Sequence, residues 1–199
     1  MKITDLELIQ LAKTLDHPHR NSKQTMVRRV FSLVRVVTDE GIDGLGEAGC
    51  DPSVAPGVIA RLKRHVVGMD PFNVEELWQQ AFHGAAMYDP KGAAIAAISG
   101  VDIACWDVMG KALGVPVHRL LGGQSRRAIP AYASDLHWLE APEEMARAAA
   151  RYVEEGFTAV KTHLGVDPEG DESRVRAIRE AIGDDVLRGR RIRLSRAIR

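Results

Sequence analysis

A chain of 199 residues, 45% hydrophobic and 27% charged, has the make-up of a globular protein that can bury a proper core. Its balance of 27 basic against 27 acidic residues hides an asymmetry: residues 188–199 hold six arginines and no acid, which leaves 21 basic against 27 acidic residues in the mildly acidic remainder. No run of 18 or more apolar residues argues for a membrane span, Asp5 and Glu7 stand where a signal peptide needs apolar residues, and Cys50 and Cys105 are too few and too far apart for a disulfide framework or a zinc site, so a cytoplasmic protein with reduced thiols is expected.

The predicted elements begin with β-structure. Ile3 to Leu11 and Val27 to Val37 have strand composition, and Asp16-His17-Pro18-His19-Arg20-Asn21-Ser22 between them reads as a loop. Thr38-Asp39-Glu40-Gly41 marks a turn, after which Ile42 to Gly49 returns as a short, glycine-broken strand. Gly44-Leu45-Gly46 is no nucleotide fingerprint, because no third glycine opens a helix behind it. Helical patterning follows over Val54–Val67, Val74–His83 and Gly92–Leu113, the last with Ile95, Ile98, Val101, Ile103, Trp106 and Val108 arguing burial. Gly114 ends that helix and Pro116 prevents its resumption. Asp107 and Lys111 form an i,i+4 pair, and Asp102 and Asp107 read as capping, pairing or hydrogen-bonding groups rather than catalytic ones. Gly122-Gly123-Gln124-Ser125 is the best linker candidate.

The pattern then changes to strand Ala128–Ser134, helix Pro142–Glu155, strand Thr158–Leu164 and helix Glu172–Ile182, an alternation that implies parallel strands. Within the second of these strands, period-two alternation sets Ala159, Lys161 and His163 on one face and Val160, Thr162 and Leu164 on the other. Two strand rises separate Lys161 from His163 by about 7 Å. His65, His83, His118 and His137 have no mutual spacing that suggests a metal site, and Trp78, Trp106 and Trp138 read as core and interface anchors rather than a binding cage.

Two segments carry a family resemblance. Ala97-Ile98-Ser99-Gly100-Val101-Asp102-Ile103-Ala104-Cys105-Trp106-Asp107-Val108-Met109-Gly110-Lys111, with Gly114-Val115-Pro116-Val117 and Leu120-Leu121-Gly122-Gly123, resembles the signature of the mandelate racemase/muconate lactonizing enzyme family of the enolase superfamily. Gly156-Phe157-Thr158-Ala159-Val160-Lys161-Thr162-His163-Leu164-Gly165 is similar to the strand on which that family places its first catalytic residues, usually as Lys-x-Lys; here the second lysine is His163. The resemblance implies an α+β capping domain over residues 1–122, a three-stranded antiparallel meander plus a helical bundle. The first two βα units of an incomplete (β/α)8 barrel follow over 123–187, and an arginine-rich segment at 188–199 departs from the family.

The chemistry implied is Mg²⁺-dependent abstraction of the proton α to a carboxylate, with acid-sugar dehydration foremost and racemisation, epimerisation or cycloisomerisation as alternatives. Lys161 and His163 are the candidate catalytic residues; a histidine with an unperturbed pKa near 6.5 is already largely neutral at pH 7 and available as a base. By the same resemblance the first N-terminal loop, His17, His19, Arg20 and Asn21, and the second, Cys50, Asp51 and Ser53, belong to a cap that selects substrate, and their donors suit a polyhydroxylated acid. The family's metal-binding carboxylates are expected on strands beyond Val186, where Leu187 to Arg199 has instead a composition that no buried parallel strand tolerates and that a shifted reading frame would produce. The expectation is therefore no metal ligand in this chain, no tight Mg²⁺ binding by it, little activity by itself, and self-association through uncovered strand edges. A reading of another class, a basic tail that binds nucleic acid or an anionic surface, is disfavoured because residues 188–199 lack aromatic residues for stacking and an apolar helical stripe.

Overall fold

The computed structural model describes residues 1–20, 24–86, 89–136, 141–165 and 168–183. Three strands open the chain, β1 (Ile3–Arg20), β2 (Thr25–Thr38) and β3 (Asp43–Ala48), in the spatial order β1-β2-β3. β2 and β3 are antiparallel, with Val34 opposite Gly46 and Val36 opposite Gly44. Strict alternation puts Ser32, Val34, Val36 and Thr38 inward along the second half of β2, whereas Thr25 to Val30 bury nothing fully. The first strand is longer than its composition predicts: Asp16 to Arg20, read as loop, continue β1. As an edge strand β1 tolerates Pro18, whose missing N–H can face outward, so pairing with β2 overrides the local turn signal.

Helices α1 (Ala55–Val66), α2 (Val74–Ala86) and α3 (Ala93–Leu113) follow the predicted positions within a few residues. Gly114, in the left-handed conformation, caps α3, and a short α4 (Val117–Leu120) that the sequence reading lacked starts just beyond Pro116, its extended N-cap. α3 is long and apolar enough, by length and composition, to cross a membrane, but 56% of its apolar window is buried in this fold, as in a core helix. Its buried face is made of small residues, Ala94, Ala97, Gly100, Ala104 and Cys105, with Ile98, Val101 and Val108 between them. These pack with Val34, Val36, Ile59, Leu62 and Leu77 into one core cluster. Each fully buried Ile, Leu or Val contributes about 1.5–3 kcal/mol.

The small residues permit an unusually close approach of helix and strand. A Cβ on Gly44 would lie 2.1 Å from the Ala104 carbonyl oxygen, and one on Gly46 2.0 Å from that of Gly100. Asp107 and Lys111 lock the contact: Leu45 N–H donates to Asp107 Oδ2 at 2.9 Å, Lys111 Nζ pairs with the same oxygen at 2.8 Å, and Lys111 Nζ also donates to the Asp43 carbonyl at 2.7 Å. The structural role expected of Asp107 is thus a specific one, holding β3 against α3.

The remaining described elements are β4 (Ala133–Leu136), α5 (Pro142–Glu154), β5 (Val160–Thr162) and α6 (Pro168–Ile182). β4 and β5 are parallel, with Ala133 opposite Val160 and Leu136 opposite Thr162, as the alternation requires. β4 starts five residues later than predicted; Ile129 and Tyr132, counted toward a strand for their composition, are exposed, and Pro130 cannot donate to a ladder. Leu136, Met145, Ala149, Ile178 and Ile182 form a second, smaller core.

The chain divides into two compact units, Met1–Lys13 with Arg29–Ser125, and Thr14–Arg28 with Arg126–Arg199. The break at Ser125 follows Gly122 and Gly123, both at positive φ, where the linker was expected. The tip of the β1–β2 hairpin groups with the second unit, which no local sequence signal announces. Residues 188–199, and with them the arginine-rich segment, lie outside the described residues.

Candidate functional site

Parallel pairing with β4 and packing on α5 and α6 orient β5. Val160 turns inward against the Leu136, Met145 and Ala149 cluster, and Thr162 Oγ1 donates to the Leu136 carbonyl at 3.1 Å. Lys161 is exposed on the opposite face, as alternation predicts. β5 is shorter than its composition suggests, so His163 lies one residue past the last strand residue, half-buried and held by an interaction of its own. Both bases therefore sit at the C-terminal end of a parallel strand, the end at which βα architectures place their chemistry.

The expected substrate-binding residues fall into two groups. His17, exposed, and His19, half-buried, lie on the hairpin tip and so share a unit with Lys161 and His163. Arg20 belongs to the same stretch of β1, and Asn21 lies outside the described residues. Cys50 and Asp51 belong to the other unit. Asp51 works inside its own loop: Oδ1 accepts from Ser53 N at 2.8 Å and from Ser53 Oγ at 2.5 Å, and its carbonyl accepts from Val54 and Ala55 N–H ahead of α1. Those Ser53 bonds hold the carboxyl below the usual range. Burial raises the Cys50 thiol and pushes that of Cys105 up to about 12, which suits packing rather than nucleophilic chemistry.

Among the described residues no group of three or more His, Cys, Asp or Glu side chains is gathered as a metal site needs. His65 faces Gly84, between α1 and α2, His83 Nδ1 contacts the Gln79 carbonyl at 2.8 Å, and His118 is exposed. Trp78 stacks on Phe82 with ring centroids 4.9 Å apart, beside the main core; His137 and Trp138 lie outside the described residues.

A meander and helices followed by parallel βα units, with two bases at one strand end, define an enolase-type α+β and βα protein. The chain belongs to the mandelate racemase/muconate lactonizing enzyme family: its N-terminal domain matches residues 3–122, and the enolase C-terminal domain-like family matches residues 144–194, into the arginine-rich segment. The chain is 32% identical over 189 residues to D-galactarolactone cycloisomerase of Agrobacterium fabrum, covering 94% of this chain and 50% of that protein. It is 36% identical over 157 residues to arabinonate dehydratase of Saccharolobus solfataricus, covering 76% and 42%. The structure of dipeptide epimerase from Enterococcus faecalis V583, complexed with Mg and the dipeptide L-Leu-L-Tyr, superposes with a TM-score of 0.77 at 30% identity over 93% of this chain and 52% of that one. The chain spans about half the length of the curated relatives it matches.

Proposed function

We propose that this chain supplies the capping region and the first two βα units of an enzyme that removes the proton α to a carboxylate, with an acid sugar as substrate and dehydration as the overall reaction. The observation that carries the reading is the pair Lys161 and His163 at the C-terminal end of β5, in a family whose relatives include an arabinonate dehydratase. Racemisation, epimerisation and cycloisomerisation are the alternatives, since relatives are named for each. Residues 1–122 form the cap in this reading and 123–187 the start of the barrel, with the family match running on to residue 194 within the arginine-rich segment.

The roles follow from charge. A neutral imidazole accepts the α-proton, and a cationic lysine two residues earlier favours that neutral form. His17 and His19, which share the unit with this pair, and Arg20 offer donors to substrate hydroxyls and carboxylate. Stabilising the resulting enediolate requires a further group besides this pair of bases, and we infer that Lys161 and His163 without it turn over poorly. Cytoplasmic residence belongs to the same proposal, supported by free Cys50 and Cys105. In the enzyme carrying a complete barrel, His163→Ala should lower turnover by about 10²–10⁴ and leave substrate binding nearly intact. Turnover within about threefold of the parent would assign the base elsewhere and leave His163 a spectator.

A further inference from the structure

We propose that Asp171 is a positioning residue for His163, an inference that rests on His163 serving as the base. Where the chain leaves β5, Gly165 adopts a φ of 116°, a conformation that glycine reaches without strain because it has no Cβ. The Gly165 N–H donates to Asp171 Oδ2 at 2.6 Å, so a side chain from the first turns of α6 reaches back and clasps the main chain two residues past His163. The clasp is itself held. Asp171 Oδ1 lies 3.7 Å from Arg174 Nη1, with the two side chains only 16% and 17% exposed, so neither is free to swing into solvent.

A hydrogen bond to an ionised, sheltered carboxylate is short and about twice as strong as a neutral one. Fixing Gly165 fixes the backbone dihedrals between it and the end of β5, and these decide the direction of the His163 Cα–Cβ bond. A base displaced by about 1 Å can lose about 10²-fold in rate, so such a support matters to a group that sits beyond the last ladder residue of a three-residue strand.

Isotope-labelled chain 1–199 is the test, read by nuclear magnetic resonance. In the unsubstituted chain the Gly165 amide resonance is expected to follow the titration of the Asp171 carboxyl, and the His163 χ1 couplings to report one dominant rotamer. Asp171→Ala should speed Gly165 amide exchange by about fivefold or more and average the His163 couplings, with the circular dichroism unchanged; Asp171→Asn, which keeps an acceptor oxygen, should restore most of both signals. A purely structural role would leave the His163 couplings alone. Unaltered His163 couplings in a folded Asp171→Ala overturn the proposal. Should that variant not fold, the parent chain decides, because a Gly165 amide indifferent to the Asp171 titration overturns the clasp. A clasp that behaves as stated, alongside full turnover of His163→Ala in the complete enzyme, refutes the base assignment and leaves the clasp standing.

Discussion

The two units are built to different standards. The first buries an extended cluster running from Ile3 and Leu6 through Val34 and Val36 to Ile98, Val101 and Val108, and brings the β3 backbone against that of α3. Among the described residues, the second rests on a cluster of five buried side chains under a parallel pair of four- and three-residue strands. A strand that lies on a helix through glycine and alanine needs every neighbour in place. A short parallel pair gains most of its stability from what covers it, since parallel strands are stable only when buried on both faces. The candidate chemistry sits on the less completely buried unit, and so do the hairpin histidines.

The sharpest way to break this contrast is at the closest approach. Gly46→Val would drive a side chain into the Gly100 carbonyl and should cost the first unit more than about 3 kcal/mol, read as a loss of the urea transition followed by Trp78 and Trp106 fluorescence. Retention of the parent midpoint would mean that β3 can lift off α3 freely. Next in size, Leu136→Ala empties the centre of the smaller core and should cost about 2–3 kcal/mol there, while amide exchange across α3 stays as in the parent. Equal acceleration in both regions would show that the two units unfold as one. Asp107→Ala leaves the Leu45 N–H to water and releases Lys111; because this contact is solvent-exposed, only about 0.5–1 kcal/mol of the first unit's stability should go, with Asp107→Asn milder because an acceptor remains.

The smallest effect is a pH dependence. Lys63 beside Asp5, Arg35 beside Asp43 and Ser53 beside Asp51 hold those carboxyls below their ordinary 3.8, so each adds stability that is present above pH ~4 and lost as the pH falls below it. Asp102 has the opposite sign. Burial, with a lesser contribution from Glu75, raises its carboxyl above 3.8, so its ionisation costs stability as the pH rises through that range. Thermal midpoints from about pH 3 to pH 7 should therefore fall at the acid end, and Asp102→Asn should raise the midpoint at neutral pH. No rise in that variant would show that the Asp102 charge is solvated in the folded chain.

By itself the sequence determined the family, the order of elements other than α4 and the parallel pairing, because these rest on local and periodic signals: Gly114 closing α3, alternation along β2, the βα repeat after Gly123, and the Gly-Phe-x-Ala-Val-Lys context of Lys161. It also marked Asp107 and Lys111 as structural. Only the tertiary structure decided that Asp16 to Arg20 extend β1, since pairing with β2 outweighs a local turn signal that proline and charge would otherwise win. Neither could composition reveal why Gly44 and Gly46 are glycines, because the atoms that forbid a side chain there belong to Gly100 and Ala104, more than fifty positions away. Asp171 was invisible for the same reason in miniature. Its partner is the main-chain N–H of Gly165, and a backbone group carries no sequence signal until the chain has folded around it.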